Sequence, residues 1–202
     1  MNVSESERPH DDSPESFERS AATGPGWLRE LFEWLKTAAI AFAIVLALHL
    51  FVFNLSTVEG HSMEPTLQEK EWLFVNKIVY MLRAPKVGEI VVLEDPLDVR
   101  MGAEKPELLV KRVVGLPGDQ IEIYNKKLYR NGKLIEEPYV DTEIEGYDYG
   151  PHIVEEGRYF VLGDNRHAQA SKDSRVFGAV PESYIKGKAE FIVWPWDQMT
   201  ML

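Results

Sequence analysis

Three stretches far apart in the chain carry side chains that could do chemistry together. The first is "GHSMEPTL", residues 60–67, with Ser62 at its centre. Gly60 permits close backbone approach or an unusual φ, and Pro65 stiffens the turn and biases Glu64 toward extended backbone. Ser62 is therefore held on a rigid turn, but a serine hydroxyl is a poor nucleophile at neutral pH until a base sits beside it. The second stretch is "ELLVKRVVGLPGD", residues 107–119, which places Lys111 inside an apolar strand. If that side chain points inward, desolvation disfavours the ammonium, lowers its pKa and leaves an amine able to accept a serine proton. Arg112, next along the strand, then faces the other way, toward solvent or a carboxylate. The third is "VLGDNRHAQASKDSRVFG", residues 161–178, where Asp164, Asn165, Arg166, Ser171, Asp173, Ser174 and Arg175 crowd together after a strand. Such a density of donors and acceptors suggests a network that orients something. Each stretch also has a plain reading, as a turn serine, an edge-strand charge pair and a solvated loop with surface ion pairs. His167 stands as an alternative base. His61 does not, because neighbours in an extended segment point to opposite faces.

These residues need elements to bring them together. The 202 residues suit one domain with small attachments, and 45% hydrophobic content is enough for a core. A net charge of -11 argues against nucleic acid as a partner, since phosphate binding needs a basic face. The chain has no cysteine, which removes disulfides, thiolate metal sites and a cysteine nucleophile, and its five histidines show no zinc-like spacing.

Residues 1–26 read as a disordered acidic tail rich in Ser, Pro, Glu and Asp. Residues 27–55 read as a juxtamembrane segment and a transmembrane helix. The apolar run from Ala38 to Leu55 is long enough, at 1.5 Å per residue, to span roughly 27 Å of bilayer. Trp27 and Trp34 precede it at the interfacial position, and His49 is read as tolerated within it. Arg19, Arg29 and Lys36 lie before the run and Lys70 is the first base after it, which puts the N-terminus inside and the large domain outside. Beyond Ser56 the pattern turns to short strands: "WLFVNKIVY", "EIVVLE", "ELLVKRVVGL", "QIEIYN", "KLYRNGKLI", "RYFVLGD" and "AEFIVW". "RNGK" at 130–133 signals a type I′ hairpin, and 94–107 reads as a loop. The expected fold is mainly β, an antiparallel domain over residues 56–202 behind one N-terminal helix.

In order along the chain, Ser-Met-x-Pro-Thr-Leu, then Lys-Arg-Val-Val-Gly-Leu-Pro-Gly-Asp, then Gly-Asp-Asn-Arg with a following Asp-Ser-Arg resemble the motifs of bacterial type I signal peptidases. "VGEIVVLEDP" at 87–96 looks like a further box of that family. The resemblance implies a membrane-anchored serine endopeptidase that cleaves N-terminal signal peptides after small residues, often Ala-x-Ala. It implies a β-sheet catalytic domain with a β-hairpin insert at about 119–162. Ser62 is then the nucleophile and Lys111 the general base. Ser171 orients the lysine, Asp173 and Arg175 form a structural ion pair, Asp164 pairs with Arg112, and Gly163 keeps the wall beside the site narrow. Val58, Met63, Leu67 and Val110 match positions that line small apolar pockets. The backbone N–H of Ser62 is the expected oxyanion donor. No cofactor and no metal is implied. The partners are secretory preproteins and the lipid bilayer, with the secretion translocon as a further candidate, and Trp194 and Trp196 are candidates for membrane contact.

The chain departs from the family's pattern twice. Gly60 stands where some members carry a hydroxyl that assists the oxyanion. The step from Arg166 to Ser171 is two residues longer than usual, leaving His167 to Ala170 as an extended loop. The readings that compete with a general signal peptidase are a dedicated processing peptidase of the same family and an inactive membrane-tethered β domain that binds partners.

Overall fold

The computed structural model describes residues 26–48 and 52–202; the acidic tail and His49 lie outside the described residues. The chain divides into two compact units at Ala43/Ile44. The first described element is helix α1, Gly26–Ala47, whose large apolar side chains, Trp27, Trp34, Phe42 and Ile44 among them, are exposed along its length. Among the described residues no helix is long and apolar enough to cross a membrane.

The expected span of 38–55 is not one element. The helix ends at Ala47, and Phe53–Thr57 forms strand β1. The reason is local composition combined with a partner. Asn54, Ser56 and Thr57 are weak helix formers, and β2 (Trp72–Asn76) offers them a complete antiparallel ladder, from Phe53 opposite Asn76 to Thr57 opposite Trp72. Phe53 also stacks on Phe74 with ring centroids 5.2 Å apart.

The remaining strands are β3 (Ile90–Glu94), β4 (Leu108–Gly115), β5 (Gln120–Tyr124), β6 (Lys127–Arg130), β7 (Lys133–Leu134), β8 (Tyr149–Ile153), β9 (Arg158–Leu162), β10 (Val180–Pro181), β11 (Ile185–Trp194) and β12 (Thr200–Met201). They build two antiparallel sheets. The larger runs β1-β2-β11-β3-β4-β9-β10 with β12 added to β11, and the smaller runs β7-β6-β5-β8. Every segment read as a strand contains one, but β2 stops at Asn76 and the end of "WLFVNKIVY" enters the short helix α2, Val79–Leu82. Asn131 and Gly132 both take positive φ, as a type I′ turn requires.

The insert is shorter than expected. It closes at β8, and β9 belongs to the large sheet, where Arg112 pairs with Leu162 and Val113 with Val161. Four of the five β9 residues are buried, which suits a strand between two neighbours better than an outlying hairpin. β8 carries no strand signal in the sequence, because Gly150 and Pro151 interrupt it. The loop expected at 94–107 contains a short helix, α3 (Pro96–Met101), capped by the Asp95 carboxylate accepting from the Leu97 N–H and ended by Gly102 at φ +79°.

At its centre the large sheet is buried on both sides. In β3, Ile90 and Val92 pack with Val58, Met63, Leu67, Leu73 and Val75, while Val91 and Leu93 pack with Val113, Tyr159, Val161 and Phe177. The smaller sheet closes a third cluster, Ile121, Ile123 and Leu128, against Val114, Phe160 and Leu162. The first of these clusters is the platform on which the Ser62 turn rests.

Candidate active site

Beyond β1 the chain folds back on itself. The Val58 N–H donates to the Glu71 carbonyl at 2.8 Å, and the Lys70 N–H donates to the Val58 carbonyl at 2.9 Å. Inside this loop Gly60 takes φ +78°, a value L side chains rarely adopt. Residues 61–67 then form a compact turn, with Glu64 N–H donating to His61 O at 3.2 Å and Leu67 N–H to Met63 O at 3.0 Å. This differs from the extended segment expected before Pro65. Met63 and Leu67, both essentially inaccessible, stake the turn to the core, and Ser62, just before Met63, is left half-buried. His61 is no base for Ser62: its side chain is exposed and its Nδ1 meets Glu64 Oε1 at 2.8 Å.

Lys111 comes from β4 and is only 2% exposed. Its Nζ donates to Ser62 Oγ at 2.7 Å and to the Val110 carbonyl at 2.8 Å. Burial lowers its pKa from 10.5 to about 8, against the opposing pull of Asp173, Glu107, Asp164 and Asp95. A fraction of the side chain is therefore a neutral amine near neutral pH, within proton-transfer distance of a serine hydroxyl. A serine oxygen and a depressed lysine in contact, both on rigid elements, can perform nucleophilic acyl transfer.

Arg112 faces away from Lys111, as alternation requires, and meets a carboxylate. Its Nη2 donates to Asp164 Oδ2 at 2.6 Å and its Nε to Asp164 Oδ1 at 2.9 Å, with Asp164 fully inaccessible. Asp164 Oδ2 also accepts from Thr66 Oγ1 at 2.6 Å, so one carboxylate joins the base strand to the nucleophile turn. The Arg112 guanidinium lies 3.9 Å above the Tyr139 ring. Asp173 binds Arg175 at 2.8 Å and accepts from the Gly163 N–H at 3.2 Å. It also caps the short helix α4, Ser174–Phe177.

Gly163 sits where a β-carbon would collide with the Ser62 carbonyl oxygen and the Ser171 hydroxyl. Ser171 is therefore beside the site, but among the described residues its buried Oγ has no hydrogen-bond partner. The expected bond from Ser171 to Lys111 is not formed. Two of the ammonium's three hydrogens already go to Ser62 Oγ and Val110 O. His167 is drawn the other way, 3.8 Å from Asp141 and 3.5 Å from Glu145.

Sequence reasoning missed Thr66, Glu137 and Tyr139. Glu137 pairs with the fully buried Arg166 at 2.6 Å, and its "EEPYVD" surroundings read as an ordinary polar loop. Only folding places that segment behind the motif at 163–166.

Ser62 and Lys111 open into a cleft of about 350 Å³ lined by Leu55 to Glu59, Met63 and residues 107–110. Val58, Met63 and Val110 line it, whereas Leu67 lies in the core beneath and not on the cleft. Asp95, Asp98 and Glu107 bring carboxylate oxygens within 4.8 Å of one another. The Lys172 ammonium already pairs with Asp95, and Asp98 accepts from the Glu107 N–H at 3.0 Å.

Residues 31–194 match the family model described as signal peptidase, peptidase S26. Signal peptidase I of Bacillus licheniformis is 40% identical over 179 residues, covering 84% of this chain and 91% of that protein. Signal peptidase IB of Staphylococcus aureus is 36% identical over 187 residues, covering 84% and 93%. Among solved structures, a signal peptidase I from Enterococcus faecalis V583 aligns with a TM-score of 0.43 at 30% identity, over 52% of this chain and 97% of that one.

Proposed function

The chain belongs to the signal peptidase family, peptidase S26, and on that premise we propose that Ser62 and Lys111 carry its reaction from a membrane-anchored position. It is a serine endopeptidase that cleaves signal peptides from preproteins. The observation that carries the residue assignment is the 2.7 Å contact between Lys111 Nζ and Ser62 Oγ at a lysine almost removed from solvent.

Neutral Lys111 takes the Ser62 proton as Oγ attacks the scissile carbonyl. The Ser62 N–H faces the developing oxyanion. Lys111 then gives its proton to the leaving amine, the new N-terminus of the mature protein, and an acyl-enzyme remains on Ser62. Water, deprotonated by the same amine, attacks the ester and frees the signal peptide. Asp164, Arg112, Asp173 and Arg175 hold the elements in place, and Gly163 keeps the wall close, with Ser171 packed against it beside the site.

The substrate enters as an added strand. Residues 108–111 of β4 pair with β3 on one edge, and β9 joins the opposite edge only from Arg112 onward. The cleft thus lies between the free edge of β4 and the β1–Val58 segment, both able to offer main-chain hydrogen bonds. Its walls of Val58, Met63 and Val110 favour small substrate side chains such as Ala-x-Ala.

Anchoring rests on the apolar run that begins in α1, where apolar side chains are exposed along the helix, with Arg29 and Lys36 on its N-terminal side. The catalytic domain then lies on the extracytoplasmic face, near the surface where signal peptides are cut, with lipid and the secretion translocon as its surroundings. Protease added to intact inside-out vesicles is expected to spare the β domain, and its digestion from the cytoplasmic side would overturn this topology.

The lysine assignment has its own test. Activity should climb with pH as Lys111 loses its proton, through an acidic limb centred near pH 8. A preprotein cleavage rate independent of pH from about 6 to 9 would remove Lys111 as the base.

A further inference from the structure

An oxyanion donor helps only if it is aimed before the reaction starts. The Ser62 turn has one such donor of its own, the Ser62 N–H, since Gly60 carries no hydroxyl. Among the described residues nothing accepts a hydrogen bond from that N–H. What, then, aims it? A trans peptide is a rigid plate whose C=O and N–H point in opposite directions, and the His61–Ser62 bond is not among the cis bonds of this chain. Whatever grips the His61 carbonyl therefore sets the direction of the Ser62 N–H.

That grip comes from Asn165. Its Nδ2 donates to the His61 carbonyl at 3.0 Å, and its backbone N–H donates to the Ser62 carbonyl at 3.1 Å. The two bonds hold the peptide plates on either side of the Ser62 α-carbon. The His61 carbonyl has one other bond, the 3.2 Å contact from Glu64 N–H that belongs to the turn itself. Asn165 is itself fixed: it is 8% exposed, its Oδ1 accepts from the His167 N–H at 3.2 Å, and Asp164 before it is tied to Arg112 and Thr66.

We propose that Asn165 is a positioning residue that aims the Ser62 amide at the oxyanion by anchoring the carbonyl on the opposite side of the same peptide plate. Its donation to that carbonyl also polarises the plate and strengthens the N–H as a donor. Asn165 is not among the residues that line the cleft, and Lys111 bonds to Ser62 and Val110 instead. The proposal rests on the reading of Ser62 as nucleophile.

The test compares the full-length Asn165→Asp, Asn165→Leu and Ser62→Ala enzymes in detergent. Asp keeps the acceptor for His167 and loses the donor to His61, and Leu loses both side-chain bonds at similar volume. Deleting an oxyanion donor outright costs about 10²–10³-fold in kcat, so misaiming one is expected to cost about 10- to 100-fold. KM should stay within about twofold, because the ground-state carbonyl gains little from the donor. A peptide aldehyde ending in alanine supplies an independent readout. Ser62 Oγ adds to its carbon, Lys111 takes the hydroxyl proton, and the former carbonyl oxygen becomes an oxyanion. Its affinity should fall by the same factor as kcat. The acidic limb of Asn165→Leu should stay where the wild type has it, since Lys111 is untouched.

The inference is overturned if both variants keep kcat and aldehyde affinity within about threefold of wild type while Ser62→Ala is inactive. It is equally overturned if kcat falls but aldehyde affinity does not, since the loss then lies elsewhere than at the oxyanion. Should Asn165→Leu fail to fold, the isosteric Asn165→Asp carries the comparison alone. Cleavage by Ser62→Ala would instead overturn the nucleophile assignment itself, a result separable from either of the others.

Discussion

Ser62→Ala is expected to abolish preprotein cleavage, with kcat reduced by about 10⁶-fold, the loss seen when a serine nucleophile or its base is removed. Lys111→Met should do the same, and the double variant should be little worse than either, since nucleophile and base act as a unit. The measurement is cleavage of a preprotein in detergent or vesicles, and appreciable turnover by either single variant would break the dyad.

Lys111→Met carries a second, opposite expectation. The unfolded chain's lysine titrates near 10.5 and the folded one near 8. Between those values the unfolded state holds more protons, so stability rises with pH through that window. Above it the cost is absent. Below pH 8 the ammonium is charged in both states, and the folded protein carries the full penalty of burying it, about 3 kcal/mol at 1.36 kcal/mol per pKa unit. Methionine fills similar space without the charge. At pH 7 the variant should melt at or above the wild-type temperature while being inactive. A melting point several degrees lower would mean that the two Lys111 hydrogen bonds outweigh desolvation.

The second large effect is on stability. Arg112→Ala leaves the Asp164 carboxylate with no solvent exposure and without its bidentate partner. Breaking a buried pair from one side costs about 3–5 kcal/mol, a large share of the 5–15 kcal/mol that typically holds a domain folded. Thr66 Oγ1 remains as a donor to Asp164, which sets the loss toward the lower end. Removing Arg112 also strips the cation from the Tyr139 ring, 3.9 Å away. Arg175→Ala is expected to cost less. Asp173 keeps the Gly163 and Arg175 backbone N–H groups, and Arg175 keeps 17% side-chain exposure. Denaturant unfolding of the two variants side by side measures the difference. Equal losses would show that the Arg112–Asp164 bridge between base strand and nucleophile turn is no more than another ion pair.

Some of this is legible in the residue types alone. Strand periodicity placed β2, β3, β4, β5, β6, β9 and β11, because alternation and β-branched content are local properties. "RNGK" specified its turn because Asn and Gly tolerate positive φ. Lys111 stands out for a local reason as well: an ammonium among Leu109, Val110, Val113 and Val114 is costly once its side chain points inward.

Other features depended on partners distant in sequence. The apolar residues 53–55 read as the end of a span until β2 gave them a ladder. β9 read as part of the insert until β4 claimed it. The Ser171 hydroxyl could be placed near the lysine by motif, but whether it accepts a hydrogen bond from Lys111 depends on where the ammonium's hydrogens point. Tyr139, Glu137 and Thr66 had no local signal, because their importance lies in what they touch across more than 20 residues of chain. Residue type and period determine which elements form and which side chains are costly to bury. The distance from Lys111 Nζ to Ser62 Oγ, and the direction of one peptide plate behind it, are set only when β4, the nucleophile turn and the 163–166 segment pack against a common core.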